Sequence, residues 1–77
     1  MPAHKRDIKL IKKIALTIKE LRADAGVTQD EVYDATKVNV ARIERHIGNP
    51  TVSTLSELCK YFKISWLDFN TKVALRK

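Results

Sequence analysis

Apolar residues recur along this chain with the period of an α-helix, and they mark five short segments. The first segment, residues 7–25, carries Ile11, Ile14 and Ile18 on one face, with lysines away from that face. Asp7 can cap its start, and Gly26 can end it with a positive φ. Alternation with period two is missing, so the pattern predicts an all-α fold.

A second, shorter helix is predicted to begin at Thr28. The threonine hydroxyl can accept from the amide of Glu31, and the Glu31 carboxylate can reach back to the amide of Thr28. A third helix fits from Asn39 onward, because asparagine is a good N-cap. The sequence therefore predicts two short helices joined by a tight turn, which is the arrangement of a helix-turn-helix.

The third segment separates apolar from basic residues. Its apolar positions follow helical spacing at Val40, Ile43 and Ile47. The opposite face is predicted to present Ala41, Arg42, Arg45 and His46. An apolar face with basic residues opposite is typical of a helix that enters the major groove of DNA.

Two further helices complete the pattern. Residues 48–50 break the chain, and Thr51 or Ser53 can cap a fourth helix that runs to about Phe62. Ser65 can cap a fifth helix, whose apolar residues include Phe69 and Val73.

From Ile18 to Phe69 the chain resembles the Cro/C1-type (XRE) helix-turn-helix family of phage repressors and bacterial regulators. The matching pieces occur in the family's order, and they are residues 18–22 (IKELR), 26–29 (GVTQ), 42–45 (RIER), 49–51 (NPT), 54–55 (TL) and 62–65 (FKIS). The resemblance implies a five-helix, lambda-repressor-like fold over residues 7–77. It also implies binding of double-stranded DNA as a homodimer.

The chain departs from the family by being about three residues shorter between Gln29 and Glu44. In the favoured arrangement the gap follows Asn39, and Lys37 takes the place of the turn glycine. In the alternative arrangement the third helix begins at Thr36. The family also has glycine at the position of His46, so we expect Gly48 to end the third helix instead.

The resemblance and the residue chemistry together define candidate DNA contacts. Thr28, Gln29 and Lys37 are expected to hold phosphates, and Arg42 or Arg45 can bind guanine through two hydrogen bonds. Asn39 can either read adenine or cap its own helix. The full candidate set is Thr28, Gln29, Lys37, Asn39, Ala41, Arg42, Arg45 and His46.

Arg22 and Glu44 are interpreted as structural. In the family the matching residues pair beneath the motif, and here each lies next to an apolar residue in the sequence. A partly buried charge needs its partner, so we predict an ion pair between them.

Charge supports a polyanionic partner. The net charge is +6, and residues 1–22 hold seven bases and two acids, a balance of +5. Residues 1–6 are predicted to form a flexible basic arm. A solvated lysine-rich helix face is the alternative explanation of this charge.

Composition argues against catalysis, cofactors and metals. The chain has two histidines, two glycines and one cysteine, so neither a Cys-His metal cluster nor a phosphate-cradling glycine loop can be built. The lone Cys59 fits a core position and a reducing cytoplasm. No apolar run approaches about 18 residues, so no membrane span is expected.

We therefore expect a sequence-specific, cytoplasmic transcriptional regulator that binds double-stranded DNA as a homodimer. The alternative is a protein-interaction module, such as the antitoxin of a toxin–antitoxin pair, because a shortened recognition helix weakens base reading.

Overall fold

Residues 7–77 are described by the structure, a computed structural model, and they form five α-helices without any strand. The helices are α1 (Ile8–Ala25), α2 (Gln29–Thr36), α3 (Val40–Glu44), α4 (Val52–Phe62) and α5 (Trp66–Leu75). The all-α, five-helix prediction is therefore confirmed. The predicted basic arm, residues 1–6, lies outside the described residues.

Each helix begins where its capping residue predicts. In every case the side-chain oxygen of the cap accepts from a backbone N–H three residues later, which satisfies one of the free amides of the first turn. The caps are Asp7, Thr28, Asn39, Thr51 and Ser65. Of the two residues proposed for α4, Thr51 is the cap and Ser53 lies inside the helix.

The core lies between α1 and the four shorter helices. α1 packs on α3 and α5, and α2 packs on α4. The fully buried side chains include Ile18, Val32, Leu58 and Phe69. Cys59 lies within this core, where burial raises the pKa of its thiol. The core interpretation of Cys59 is confirmed.

The end of α5 is held to the middle of α1 by Arg76. Its Nε donates to the hydroxyl of Thr17 at 2.7 Å, and that hydroxyl is buried and itself donates to the carbonyl of Lys13. Arg76 Nη2 also lies 3.1 Å from a carboxylate oxygen of Glu20. The hydrogen bond from Arg76 lowers the pKa of Glu20, although Glu20 is exposed. None of the helices within residues 7–77 has the length and hydropathy needed to span a membrane.

Candidate nucleic-acid interface

The N-terminus of α2 is closed by the predicted capping box. The hydroxyl of Thr28 accepts from the amide of Glu31 at 3.1 Å, and a Glu31 carboxylate oxygen accepts from the amide of Thr28 at 3.1 Å. Gln29, the first residue of α2, is half-buried, and its Nε2 donates to Glu44 at 3.1 Å. Since an amide nitrogen carries two hydrogens, one remains for a phosphate.

The turn between α2 and α3 decides between the two arrangements of the motif. Thr36 is the last residue of α2, and its hydroxyl donates to the carbonyl of Val32 at 2.8 Å. Lys37 follows in the left-handed conformation, with φ 63°, and Asn39 caps α3. Lys37 therefore occupies the place of the turn glycine, as in the favoured arrangement. The alternative, with a helix beginning at Thr36, is wrong.

Lys37 has a strained backbone conformation, and its side chain contacts the Tyr33 ring. A left-handed φ costs about 1–2 kcal/mol for a residue with a Cβ, so glycine would fit this position more easily. The ammonium group of Lys37 lies 5.6 Å from the centre of the Tyr33 ring. This cation–π contact keeps the lysine beside the exposed surface of α2.

α3 has only five residues, and the side chains of its inner face are all buried. Val40 and Ile43 are buried in the core, and the side chain of Glu44 is only 6% exposed. The outer face presents Ala41 and Arg42. Arg42 is exposed, and the amide of this residue donates to the Asn39 side chain at 3.2 Å.

The end of α3 corrects the sequence-based expectation. His46 itself adopts the left-handed conformation, with φ 62°, so the helix ends at Glu44 and does not continue to Gly48. The amide of His46 donates to the carbonyl of Ile43 at 3.0 Å, and the amide of Ile47 donates to that of Arg42 at 2.9 Å. This pair of bonds is the Schellman motif that normally selects glycine. Histidine is one of the few other residues enriched in this conformation.

Because α3 ends early, two residues that were predicted to lie on this helix lie elsewhere. Ile47 lies beyond the helix and is 39% exposed, so it does not continue the apolar face of Val40 and Ile43. His46 is half-buried in the turn after α3 and not on the outer face of the helix. Arg45 remains exposed and next to that face, because its amide still donates to the carbonyl of Ala41 at 3.1 Å.

The predicted ion pair between Arg22 and Glu44 is confirmed. Arg22 Nε donates to Glu44 Oε2 at 2.9 Å, and Nη2 donates to Oε1 at 3.0 Å. Arg22 Nη1 also donates to the carbonyl of Val27, in the turn before α2, at 3.1 Å. Together with Gln29, these residues form what we call the Arg22–Glu44 junction. It ties the end of α1, the start of α2 and the end of α3 to one another.

The electrostatics of the junction depend on this complete set of partners. Burial raises the pKa of Glu44, but the hydrogen bonds from Arg22 and Gln29 outweigh that effect, so its pKa lies below the ordinary value. The hydrogen bond to Glu44 raises the pKa of Arg22. The pair is therefore charged at neutral pH.

Two concave surfaces meet at the start of α3. The α2–α3 groove has a volume of about 340 Å³ and is lined by Gln29, Asp30, Tyr33, Asn39 and Ala41. The α3–α4 cleft has a volume of about 310 Å³, and its lining includes Lys37, Asn39, Arg42 and Gly48. Asn39 lines both, so the groove and the cleft adjoin at this residue.

The groove and the cleft both border the helix-turn-helix formed by α2 and α3. A helix-turn-helix family model matches residues 18–69, more than half of the chain. The chain belongs to the Cro/C1-type (XRE) helix-turn-helix family. This is a family of DNA-binding transcriptional regulators, whose members bind double-stranded DNA.

One solved structure similar to this member of the family is the crystal structure of the wild-type restriction-modification controller protein C.Esp1396I. The two superpose with a TM-score of 0.78, covering 88% of this chain and 95% of that chain, at 24% sequence identity. This likeness shows the shared fold. No curated protein sequence matches the chain.

Five of the eight predicted contacts of this family member line the groove or the cleft. Gln29, Asn39 and Ala41 line the groove, while Lys37 and Arg42 line the cleft. The other three, Thr28, Arg45 and His46, line neither. Asn39 uses one lone pair of its side-chain oxygen as the cap of α3, so the second lone pair and the amide nitrogen remain for a base edge.

Asp30 and Tyr33, which line the α2 side of the groove together with Gln29, were not among the predicted site residues. The available signal was their spacing, because residues three apart, such as Asp30 and Tyr33, share one face of a helix. Within residues 7–77, no three His, Cys, Asp or Glu side chains are grouped as a metal site would require.

Proposed function

We propose that this chain is a sequence-specific regulator of transcription that places α3 in the major groove of double-stranded DNA. The observation that carries the proposal is the exposure of Arg42 and Arg45 beside a helix whose inner face is fixed by the core and the Arg22–Glu44 junction. A rigid support is needed because a five-residue helix cannot hold its own orientation. Two exposed arginines can bind guanine edges or phosphates.

Phosphate contacts would flank the arginines. Thr28 and Gln29 stand at the N-terminus of α2, where the helix dipole favours an anion, and Lys37 stands in the turn at the other end of α2. The lysine-rich segment of residues 1–22 would add attraction that does not depend on sequence. These contacts would set the position of α3 along the duplex.

The active form would be a homodimer in the cytoplasm. On α5 the residues Leu67, Thr71 and Leu75 share one face at i, i+4 and i+8, and all three are exposed. Leu67 and Leu75 are 74% and 76% exposed. An exposed, uncharged stripe on a chain of net charge +6 suits contact with a second copy of itself. Such a dimer would read two half-sites about 34–36 Å apart.

The short α3 also favours a second candidate, a protein-interaction module such as an antitoxin that binds a toxin. A helix of five residues offers fewer side chains to base edges than a longer recognition helix would. In this case the domain would bind DNA weakly, and its affinity would depend little on base sequence.

The first experiment selects bound sequences from random duplex DNA and then measures affinity for the selected duplex across salt concentrations. With roughly four to six phosphate contacts per subunit, a log–log plot of affinity against salt should fall with a slope of about −4 to −5 per subunit. A scrambled duplex provides the matched control. A flat plot for both duplexes would contradict DNA binding, and equal affinities for both would favour the second candidate.

A further inference from the structure

The outer face of α3 offers hydrogen-bond donors but few acceptors. Val40 and Ile43 are buried, Glu44 is held in the junction, and Asn39 uses its oxygen as a cap. The long exposed side chains that remain are Arg42 and Arg45, and guanidinium groups only donate. α3 alone can therefore contact the acceptor atoms of guanine but has no carboxylate for an amino group on a base edge.

α2 supplies the missing acceptor on the other wall of the α2–α3 groove. Asp30 and Tyr33 are both exposed, lie three residues apart on one helical face, and line the groove opposite Asn39 and Ala41. Tyr33 is 47% exposed, and the ammonium group of Lys37 lies 5.6 Å from the centre of its ring. The groove thus has a carboxylate and an aromatic ring at its edge.

The chemistry of Asp30 and Tyr33 determines which atoms of a base edge they can contact. A carboxylate repels phosphate oxygens and the carbonyl oxygens of guanine and thymine, and it accepts a hydrogen bond from an amino group, either N4 of cytosine or N6 of adenine. The N7 acceptor beside N6 repels a carboxylate, whereas cytosine has no acceptor beside N4 in the major groove. The C5 edge of cytosine is the neighbouring apolar position in the major groove, and an aromatic ring can pack against it. Asp30 and Tyr33 together match the edge of a cytosine.

We propose that Asp30 and Tyr33 on α2 are specificity-determining residues that read a cytosine beside the bases contacted by Arg42 and Arg45. The proposal rests on the proposed function, since it requires that α3 enters the major groove. It adds a second reading element, so that base recognition is divided between α3 and the exposed face of α2.

A structural role for Asp30 predicts a different result. An acid in the first turn stabilises α2 through the helix dipole by a few tenths of a kcal/mol, and this effect does not involve DNA bases. Thermal melting of Asp30→Asn measures that role. Base preference, measured separately, is unaffected by it.

The test compares the selected sequence profiles of the wild type, Asp30→Asn and a matched control, Asp34→Asn. The control removes the same charge from an exposed position of α2 that does not line the groove. Both variants should bind scrambled duplexes more tightly, because each removes repulsion from phosphates. Only Asp30→Asn should lose the preference for cytosine, by roughly fivefold to tenfold at one position of the site.

Tyr33 is tested in the same assay with two substitutions. Tyr33→Ala should reduce the cytosine preference severalfold, while Tyr33→Phe should retain it, because packing against the C5 edge needs the ring and not the hydroxyl. Thermal melts of both variants check that the fold is intact, which the exposure of Tyr33 favours.

The outcomes separate this inference from the proposed function. If the wild type selects no sequence at all, both fail. If the wild type is specific but its profile has no cytosine position, or if Asp30→Asn keeps the same profile as Asp34→Asn, DNA reading by α3 stands and the role of Asp30 and Tyr33 is overturned.

Discussion

The two faces of α3, a helix of only five residues, have different roles. The inner face is buried, with Val40 at 1% and Ile43 at 6% exposure, and Glu44 completes the Arg22–Glu44 junction. The outer face carries Ala41 and Arg42, of which Arg42 is exposed and has no role in the core. Because so short a helix has little stability of its own, its position depends on the inner face.

This contrast separates stability from DNA binding. Substitutions on the inner face should lower the free energy of unfolding and, through it, the fraction of molecules able to bind. Substitutions on the outer face should change binding alone. Variants of the two faces therefore test this division.

The largest effect is expected from Glu44→Ala, which leaves Arg22 without its partner. The unfolding free energy should fall by about 3 kcal/mol, because a mostly buried charge loses two hydrogen bonds and its counter-ion. Arg22→Ala should cost a similar amount, and the double variant should cost less than the sum. Denaturant unfolding of the four proteins gives these values.

An exposed pair in the same fold provides the control. Glu20 is 45% exposed and pairs with Arg76 at the contact between α1 and α5. Glu20→Ala should destabilise the protein far less than Glu44→Ala, since solvent screens an exposed pair. Equal melting of Glu44→Ala and the wild type would show that the junction does not support the fold.

A smaller effect is expected from protonation of Glu44. Its folded pKa is lowered, so its contribution to stability is fully present above the unfolded value of about 4.3 and is lost as pH falls through the folded pKa. Unfolding measured against pH should show the wild type losing its advantage over Glu44→Gln in that acidic range. A constant difference down to low pH would mean that the charge of Glu44 contributes nothing.

The inner face of the motif could largely be predicted from the sequence. Helix starts follow local rules, so Thr28 and Asn39 were identified as caps from residue type and spacing alone. The Arg22–Glu44 pair followed from the family resemblance and from the cost of burying one charge alone. Caps and buried positions can be predicted from a sequence because only a few residue types are suited to each.

The end of α3 and the α2–α3 groove could not be predicted in the same way. Gly48 was the better candidate for ending α3, and its φ is indeed 76°, yet the helix already ends before His46, where φ is 62° and the Schellman hydrogen bonds form. The hydrogen bond between Gln29 and Glu44 joins residues that are fifteen positions apart, and the sequence shows no direct sign of it. The spacing of Asp30 and Tyr33 indicates that they share a face of α2, but only the packing of α2 beside α3 shows that they line the groove.

The central claim, that the outer face of α3 reads bases, is tested most directly by Arg42→Ala and Lys37→Ala on selected and scrambled duplexes. Lys37 stands in the turn before α3, where it can meet the DNA backbone, and alanine there keeps a Cβ, so the backbone strain is unchanged. Arg42→Ala should lose roughly 1–3 kcal/mol on the selected duplex and relax one base position. Lys37→Ala should weaken both duplexes equally and lower the salt slope by about one. A uniform loss for Arg42→Ala, or a loss of discrimination for Lys37→Ala alone, would contradict the account.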